Sequence, residues 1–184
     1  DSDRFEIYLL EWMIPFEEES ISEYALRFCS KVEHKNAVLV SVSFGGIIAQ
    51  EMNLVHDFRK IIIISSVKTR QELPLHLQLA GKTKVYKLVP TSLFAQNIDL
   101  LSKYAFGKPI VKRLDLYKQY LSITDKRYLD WAIEQVVLWG QTSYDPNLVH
   151  IHGDLDTIFP IDNIKDCIVV KGGTHVMILN KYIK

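Results

Sequence analysis

One stretch of the chain decides its fold: VSVSFGGIIA, residues 40–49. The β-branched run 37–42 indicates a buried strand, and residues 44–56 indicate a buried helix. Ser43 therefore lies in a strand-to-helix turn only two or three residues wide. This geometry holds the serine hydroxyl above the end of the sheet, at the positive end of the following helix.

The spacing around Ser43 matches the G-x-S-x-G turn that exposes a nucleophile, written here as S-x-S-x-G. Such a turn forces its central residue into a strained, left-handed backbone, so the residues two before and two after it need almost no side chain. Ser41 and Gly45 meet that need. A second interpretation stays open, in which a strand runs into a Gly-rich helix and the serine is incidental, because small-x-Ser-x-Gly recurs by chance.

The composition is that of one globular domain, with room for an inserted subdomain. Of 184 residues, 48% are hydrophobic and 24% are charged, and 22 basic side chains balance 22 acidic ones. No basic face with interleaved aromatic residues is visible, which argues against nucleic acid as the main partner. No apolar run approaches the length that spans a membrane. Cys29 and Cys167 lack metal-ligand spacing and indicate free thiols in a reducing compartment, here the cytoplasm.

Hydrophobic periodicity divides the chain into a core and an insertion. Strands are predicted at 5–12, 37–42, 60–65, 148–152 and 167–170. Helices are predicted at 20–33 and 44–56, from about residue 175 onward, and within the insertion at 73–79, 93–106, 111–123 and 125–139. Because alternating strands and helices imply a parallel sheet, we predict an α/β fold with a mostly parallel sheet flanked by helices. Its core would comprise 1–65 and 147–184, with a helical cap inserted at 66–146.

Two loops after later strands carry the groups that a serine nucleophile needs. A serine hydroxyl requires a general base, and that base requires an orienting carboxylate. In an open α/β sheet these groups gather at the carboxyl ends of strands. The loop 153–160 holds Asp154 and Asp156, and the loop 171–175 holds His175. In chain order the candidate set is Ser43, Asp156 and His175, with Asp154 as the alternative acid.

The sequence resembles the α/β-hydrolase superfamily in three motifs: SVSFGG at 41–46, HGDLDTIFP at 152–160 and GGTH at 172–175. The motifs occur in the family's order, with a helical cap between the family's sixth and seventh strands. The HG-x-x-D-x-x-x-P pattern places the family's acid on Asp156, and GGTH places its base on His175. The cap-end helix running into IHGDLD also resembles small hydrolases of Bacteroidetes-type bacteria.

The resemblance implies acyl transfer on an ester or thioester of a small, partly hydrophobic substrate, without a metal or a cofactor. His175 would take the proton of Ser43, Asp156 would orient the imidazole, and the Phe44 backbone N–H would donate to the oxyanion. Two alternatives stay open: a C–C bond hydrolase or lyase with the same triad, and a non-catalytic homologue that only binds a ligand. Haloalkane dehalogenase chemistry is disfavoured, because it needs a carboxylate where Ser43 stands.

Four further side chains have a structural interpretation beside a functional one. His150 and His152 flank the end of a strand and are expected to be structural. Trp131 and Trp139 are expected to fill the core of the cap, and the alternative is that one of them lines the substrate pocket.

The sequence departs from the family pattern in two places. Ser41 replaces the first glycine of the nucleophile turn. The family's third strand, whose loop supplies a second oxyanion donor, would lie between strands 5–12 and 37–42, and no such strand precedes Asp1. We therefore expect the natural protein to carry about 20–30 further residues at its front, a length judged from one strand and one loop.

Overall fold

The structure, a computed structural model, describes residues 4–92 and 125–180. Within these residues the helices are α1 (Ile21–Cys29), α2 (Phe44–Asn53), α3 (Leu75–Thr83), α4 (Lys126–Leu138) and α5 (Met177–Asn180). The strands are β1 (Val38–Val42), β2 (Lys60–Ile64), β3 (Val149–Gly153) and β4 (Ile168–Val170). Short 3₁₀ turns occupy Arg70–Glu72, Val85–Leu88 and Ile161–Asn163. The predicted helices 93–106 and 111–123 lie outside the described residues.

The four strands form one parallel sheet in the order β1-β2-β3-β4. Val42 pairs with Ile64, Ile64 pairs with Ile151, and Gly153 pairs with Val170. The carboxyl ends of all four strands therefore lie along one edge of the sheet. The loops that leave this edge meet there, which is where open α/β sheets place their ligands.

Helix α1 and the sheet cover opposite sides of α2. Helix α1 begins with a reciprocal cap, because the Glu23 N–H donates to the Ser20 hydroxyl at 3.2 Å while the Glu23 carboxylate accepts the Ser20 N–H at 2.9 Å. The apolar cluster between α1, α2 and α4 contains the buried side chains of Tyr24, Ala25, Phe28, Cys29, Ile48, Met52, Tyr128 and Trp131. On the sheet side, Ala49 packs on Ile61 and Ile63. The predicted parallel sheet flanked by helices is thus confirmed.

Arg70 connects the start of the insertion, after β2, to its end, before β3. Its guanidinium donates to the carbonyls of Val137 at 3.1 Å and Trp139 at 2.9 Å, and also to the carbonyl of Gln78 at 3.1 Å. Its backbone N–H donates to the Gln141 carbonyl at 2.8 Å. The described part of 66–146 contains helices and 3₁₀ turns but no strand. Its role as a cap stays a prediction.

The predicted strand 5–12 is wrong. These residues have no regular secondary structure, and the side chains of Phe5, Ile7 and Leu9 are 66%, 76% and 88% exposed. Alternating apolar residues favour a strand, but a strand forms only where a neighbour accepts its backbone hydrogen bonds. Among the described residues none does so, and β1 is an edge strand of the described sheet. The expected additional residues in front of the chain stay a prediction.

Several element ends differ from the predicted ones by a few residues. Helices α1 and α2 end at Cys29 and Asn53, earlier than predicted. Strand β2 ends at Ile64, because Ser65 turns into the left-handed region with φ of 49°. The last helix begins at Met177 and not at His175, which lies in the preceding turn.

Candidate active site

Ser43 occupies the strained turn between β1 and α2. Its φ of 54° and ψ of −125° lie in a region that residues with a side chain rarely adopt. Three hydrogen bonds hold the strain in place. The Ser43 N–H donates to the Ile64 carbonyl at 2.9 Å, and the Ser43 carbonyl accepts the Gly46 N–H at 2.9 Å and the Ser66 hydroxyl at 2.7 Å.

The closest packing around this turn lies at Gly46 and not at Gly45. A methyl group added to Gly45 would meet Ser41 and Trp12 at 3.6 Å, which is ordinary contact. A methyl group added to Gly46 would lie 2.6 Å from the Ser66 Cβ and even closer to its hydroxyl. The motif spacing pointed to Gly45, because Ser66 is distant in sequence and its position follows from the end of β2.

The structure brings Ser43, His175 and Asp156 together. The His175 Nε2 lies 2.8 Å from the Ser43 Oγ, and the His175 Nδ1 lies 2.9 Å and 3.1 Å from the two Asp156 oxygens. His175 and Asp156 are buried, whereas Ser43 is half-buried. Asp156 Oδ1 also accepts the N–H groups of Ile158 and Phe159, both at 2.9 Å. These bonds fix the carboxylate towards the imidazole.

Asp154, the alternative acid, has a different bond. Its Oδ1 accepts the Gly172 N–H at 2.5 Å, which ties the loop after β3 to the loop after β4. The two loops also touch directly, since the Leu155 N–H donates to the Gly173 carbonyl at 2.8 Å. A methyl group added to Gly173 would lie 2.9 Å from the Gly153 Cα. Both glycines are therefore needed for the close approach that brings His175 to Asp156.

No protein-family model and no curated protein matches the sequence. Solved structures do match. A hydrolase from Pseudomonas aeruginosa PA01 superposes with a TM-score of 0.62 at 14% identity, over 91% of this chain and 69% of that one. An esterase from Thermogutta terrifontis gives a TM-score of 0.59 at 12% identity, over 90% and 68%. An alpha/beta hydrolase fold protein from Burkholderia ambifaria gives 0.53 at 12%, over 88% and 69%.

The chain has the α/β-hydrolase fold. Ser43 follows β1, Asp156 follows β3 and His175 follows β4, and these three residues meet at the carboxyl edge of the sheet. No helix in the described residues combines the length and the apolar character that crossing a membrane requires. The two cysteines are free thiols, and burial raises the pKa of each.

Phe44 follows Ser43 as the first residue of α2. Its backbone N–H belongs to the first turn of the helix, where N–H groups have no partner within the helix. Its ring stacks on Trp12 with centroids 5.9 Å apart and meets Trp131 edge-on at 5.8 Å. Three aromatic rings therefore pack together around Phe44, the residue that follows the serine in the chain.

Trp131 and Trp139, expected in the core of the cap, instead lie in clusters shared with the α/β core, because α4 packs on α1 and α2. Trp131 lies in the cluster that contains Tyr24 and Ile48, and Trp139 lies in the cluster that contains Ile47 and Phe159. The Trp131 indole donates to the Glu19 carbonyl at 2.6 Å, and the Trp139 indole donates to the Glu51 carboxylate at 2.8 Å. Both are buried. The Trp131 ring meets the Phe44 ring edge-on. A part for either in substrate binding stays a prediction.

Sequence reasoning missed a buried ion pair in the segment after β2. Lys68 and Glu72 are both buried, with 3.7 Å between their charged atoms. Glu72 also accepts the backbone N–H groups of Lys68 at 2.6 Å and Lys165 at 3.1 Å, and Lys68 donates to the carbonyls of Lys165 and Asp166. The pair fastens the segment after β2 to the loop before β4. The pair itself is local, with its members four residues apart, but its burial follows from the contacts with Lys165 and Asp166, which lie far along the chain.

Proposed function

We propose that this chain is a serine hydrolase that cleaves an ester or thioester of a small, partly hydrophobic substrate through an acyl-enzyme. One observation carries the proposal: an unbroken line of hydrogen bonds runs from the Ser43 Oγ through both nitrogens of His175 to the Asp156 carboxylate. Nucleophile, base and orienting acid thus stand in the order that acyl transfer requires.

In the first half-reaction, Ser43 replaces the leaving group on the substrate carbonyl. As the Oγ attacks the carbonyl carbon, its proton passes to the His175 Nε2, and the π electrons of the carbonyl move to its oxygen. The Phe44 N–H and the positive end of α2 stabilise that oxyanion. The oxyanion then re-forms the double bond, the bond to the alcohol or thiol breaks, and His175 gives its proton to the leaving group.

In the second half-reaction, water releases the acyl group. His175 takes a proton from the attacking water, whose oxygen forms a bond to the acyl carbon. The ester bond to Ser43 then breaks, and the serine recovers a proton from His175. Asp156 holds the imidazole with its remaining proton on Nδ1 throughout, and it stabilises the imidazolium at each step.

The surroundings of Ser43 support a partly hydrophobic substrate. The rings of Trp12, Phe44 and Trp131 form an aromatic group directly after the serine. Apolar walls with a few placed polar groups are typical of small-molecule sites. We assign selection among substrates to the insertion 66–146, because α4 brings Trp131 to this group. The matching structure described as an esterase agrees with ester cleavage.

The test combines covalent labelling with turnover. A fluorophosphonate should label the wild-type chain at Ser43, located by peptide mass spectrometry, and the chain should hydrolyse short p-nitrophenyl esters. Ser43→Ala should abolish labelling and lower kcat by a factor on the order of 10⁶, the loss known for a triad serine. Ser143→Ala, which removes an exposed serine hydroxyl, is the matched control and should change neither.

Two results would overturn the proposal. One is a folded wild-type chain that neither reacts with the fluorophosphonate nor hydrolyses esters, as expected of a homologue that only binds a ligand. The other is labelling or hydrolysis that survives in Ser43→Ala.

A further inference from the structure

Two buried histidines on β3 extend the hydrogen-bond line beyond the acid. His150 and His152 are 2% and 0% exposed, and their positions two residues apart place them on the same face of the strand. The His150 Nε2 lies 3.1 Å from the His152 Nδ1. The His152 Nε2 lies 2.8 Å from the Phe159 carbonyl oxygen and 3.4 Å from Asp156 Oδ2. The mechanism above uses neither ring.

The partners of these nitrogens define where the protons are. The carbonyl oxygen of Phe159 can only accept, so the His152 Nε2 carries a proton and donates it. With a single proton on that ring, the His152 Nδ1 is an acceptor. The His150 Nε2 must then donate to it. The order of donors is therefore His150 to His152 to Phe159.

The surroundings of His150 keep its ring uncharged. Burial, the largest cause, lowers the pKa of His150 to about 3, and the charge of Lys68 acts in the same direction. A neutral ring has one N–H to give. Its Nδ1 has no hydrogen-bond partner among the described residues. A single proton at Nε2, shared with His152, fits this setting.

We infer that His152 is a positioning residue for Asp156, kept in its donor form by His150. The inference rests on the proposed function, because it assigns these rings a part in holding the triad. His152 donates to the Phe159 carbonyl, and the backbone N–H of Phe159 donates to Asp156 Oδ1 at 2.9 Å. Phe159 is thus held from both sides, and its ring also lies edge-on to His175 with centroids 5.5 Å apart. A loosened Phe159 releases acid and base together.

Substitutions at His152 separate the donor from the bulk of the ring. His152→Leu removes the donor, whereas His152→Gln can offer an amide N–H near the Nε2 position. We expect His152→Leu to lower kcat about 10²-fold with little change in KM, since a misplacement of about 1 Å at a catalytic group has that effect. His152→Gln should recover most of the loss. His150→Leu, which leaves the acceptor of His152 unpaired, should give a smaller loss in kcat.

A control separates positioning from general destabilisation. Ile61→Ala opens a cavity in the buried cluster at the start of β2, away from the carboxyl edge of the sheet. It should lower the thermal midpoint and leave kcat unchanged well below that temperature. If Ile61→Ala and His152→Leu lower both quantities in the same proportion, the positioning assignment is overturned.

Proton NMR tests the positions of these hydrogen-bonded protons independently of catalytic turnover. The wild-type chain should show a far-downfield signal from the His175 N–H that points at Asp156, and His152→Leu should weaken it while His152→Gln keeps it. Nitrogen shifts should show one proton on each of the His150 and His152 rings, at Nε2. A His152 ring protonated on both nitrogens overturns the donor order.

The two sets of measurements fail in different ways. If the wild-type chain hydrolyses esters and His152→Leu keeps both kcat and the downfield signal, the positioning role is wrong and the proposed function stands. If the signal responds to His152 as expected while the wild-type chain neither hydrolyses esters nor reacts with the fluorophosphonate, the proposed function is wrong and the positioning geometry stands.

Discussion

The turn at Ser43 and the loop at Asp156 hold their functional groups by opposite means. Ser43 sits in a strained backbone, and three hydrogen bonds to the Ser43 backbone keep it there. Asp156 carries no such strain, and its carboxylate is fixed by N–H groups of the loop and by His175. The nucleophile is thus positioned by conformation and the acid by its partners. Changes in the first region should act through strain, and changes in the second through lost hydrogen bonds.

After the loss of Ser43 itself, the largest expected effect is in the acid loop. Asp156→Asn should lower kcat for ester hydrolysis on the order of 10⁴-fold, because an amide in place of the carboxylate stabilises the wrong tautomer of His175. Initial rates on a p-nitrophenyl ester measure this. Asp154→Asn is the matched control, as its partner is Gly172, and it should retain most of the activity. The reverse order of the two aspartates would assign the acid to Asp154.

The next largest expected effect is a loss of stability when the packing of the nucleophile turn is changed. Gly46→Ala should lower the free energy of unfolding by about 1–3 kcal/mol, because the new methyl group overlaps Ser66. Gly45→Ala is the control: its methyl group finds ordinary contacts, so its effect should be smaller. Urea unfolding of both variants measures the difference. Equal losses would show that the close packing at Gly46 relaxes freely.

The smallest expected loss of stability follows from removing the Ser66 hydroxyl, which donates to the Ser43 carbonyl. Ser66→Ala removes the hydrogen bond to the Ser43 carbonyl, which should lower the free energy of unfolding by about 1 kcal/mol. Because that bond holds strain at the nucleophile, the rate of fluorophosphonate labelling should fall as well. Ser30→Ala removes a serine bond of the same length to the Arg27 carbonyl at the end of α1 and should leave labelling unchanged. Undiminished labelling of Ser66→Ala would mean that the two remaining bonds suffice.

Much of the fold was predictable because its signals are local. The runs that became β1, β2 and β4 are short and largely apolar, β3 alternates Val149 and Ile151 with two histidines, and polar or glycine residues follow each strand. The strand predicted at 5–12 had an equally good pattern and did not form. The difference is the partner, since the four real strands hydrogen-bond to one another and 5–12 pairs with none of the described strands. A pattern of alternation carries no information about what lies alongside.

The candidate site divides in the same way. Turn spacing and motif order pointed to Ser43, Asp156 and His175, and these are the side chains that meet in the structure. The residues that brace them were not predictable. Ser66 reaches the Ser43 carbonyl from the end of the neighbouring strand, and His152 reaches Phe159 across its own loop. Both contacts depend on three-dimensional neighbours, so neither leaves a trace in residue spacing.

Arg70 gives the chain a modular construction. It closes the entrance and the exit of the segment between β2 and β3 onto one point, through its bonds to Val137, Trp139 and Gln141. The free energy of closing such a loop changes only slowly with its length. The segment between Arg70 and Val137 can therefore be lengthened, shortened or exchanged while the edge of the sheet keeps its structure. In evolutionary terms, one α/β-hydrolase-fold core can accept different insertions at these two ends, and a designer could graft a foreign segment there.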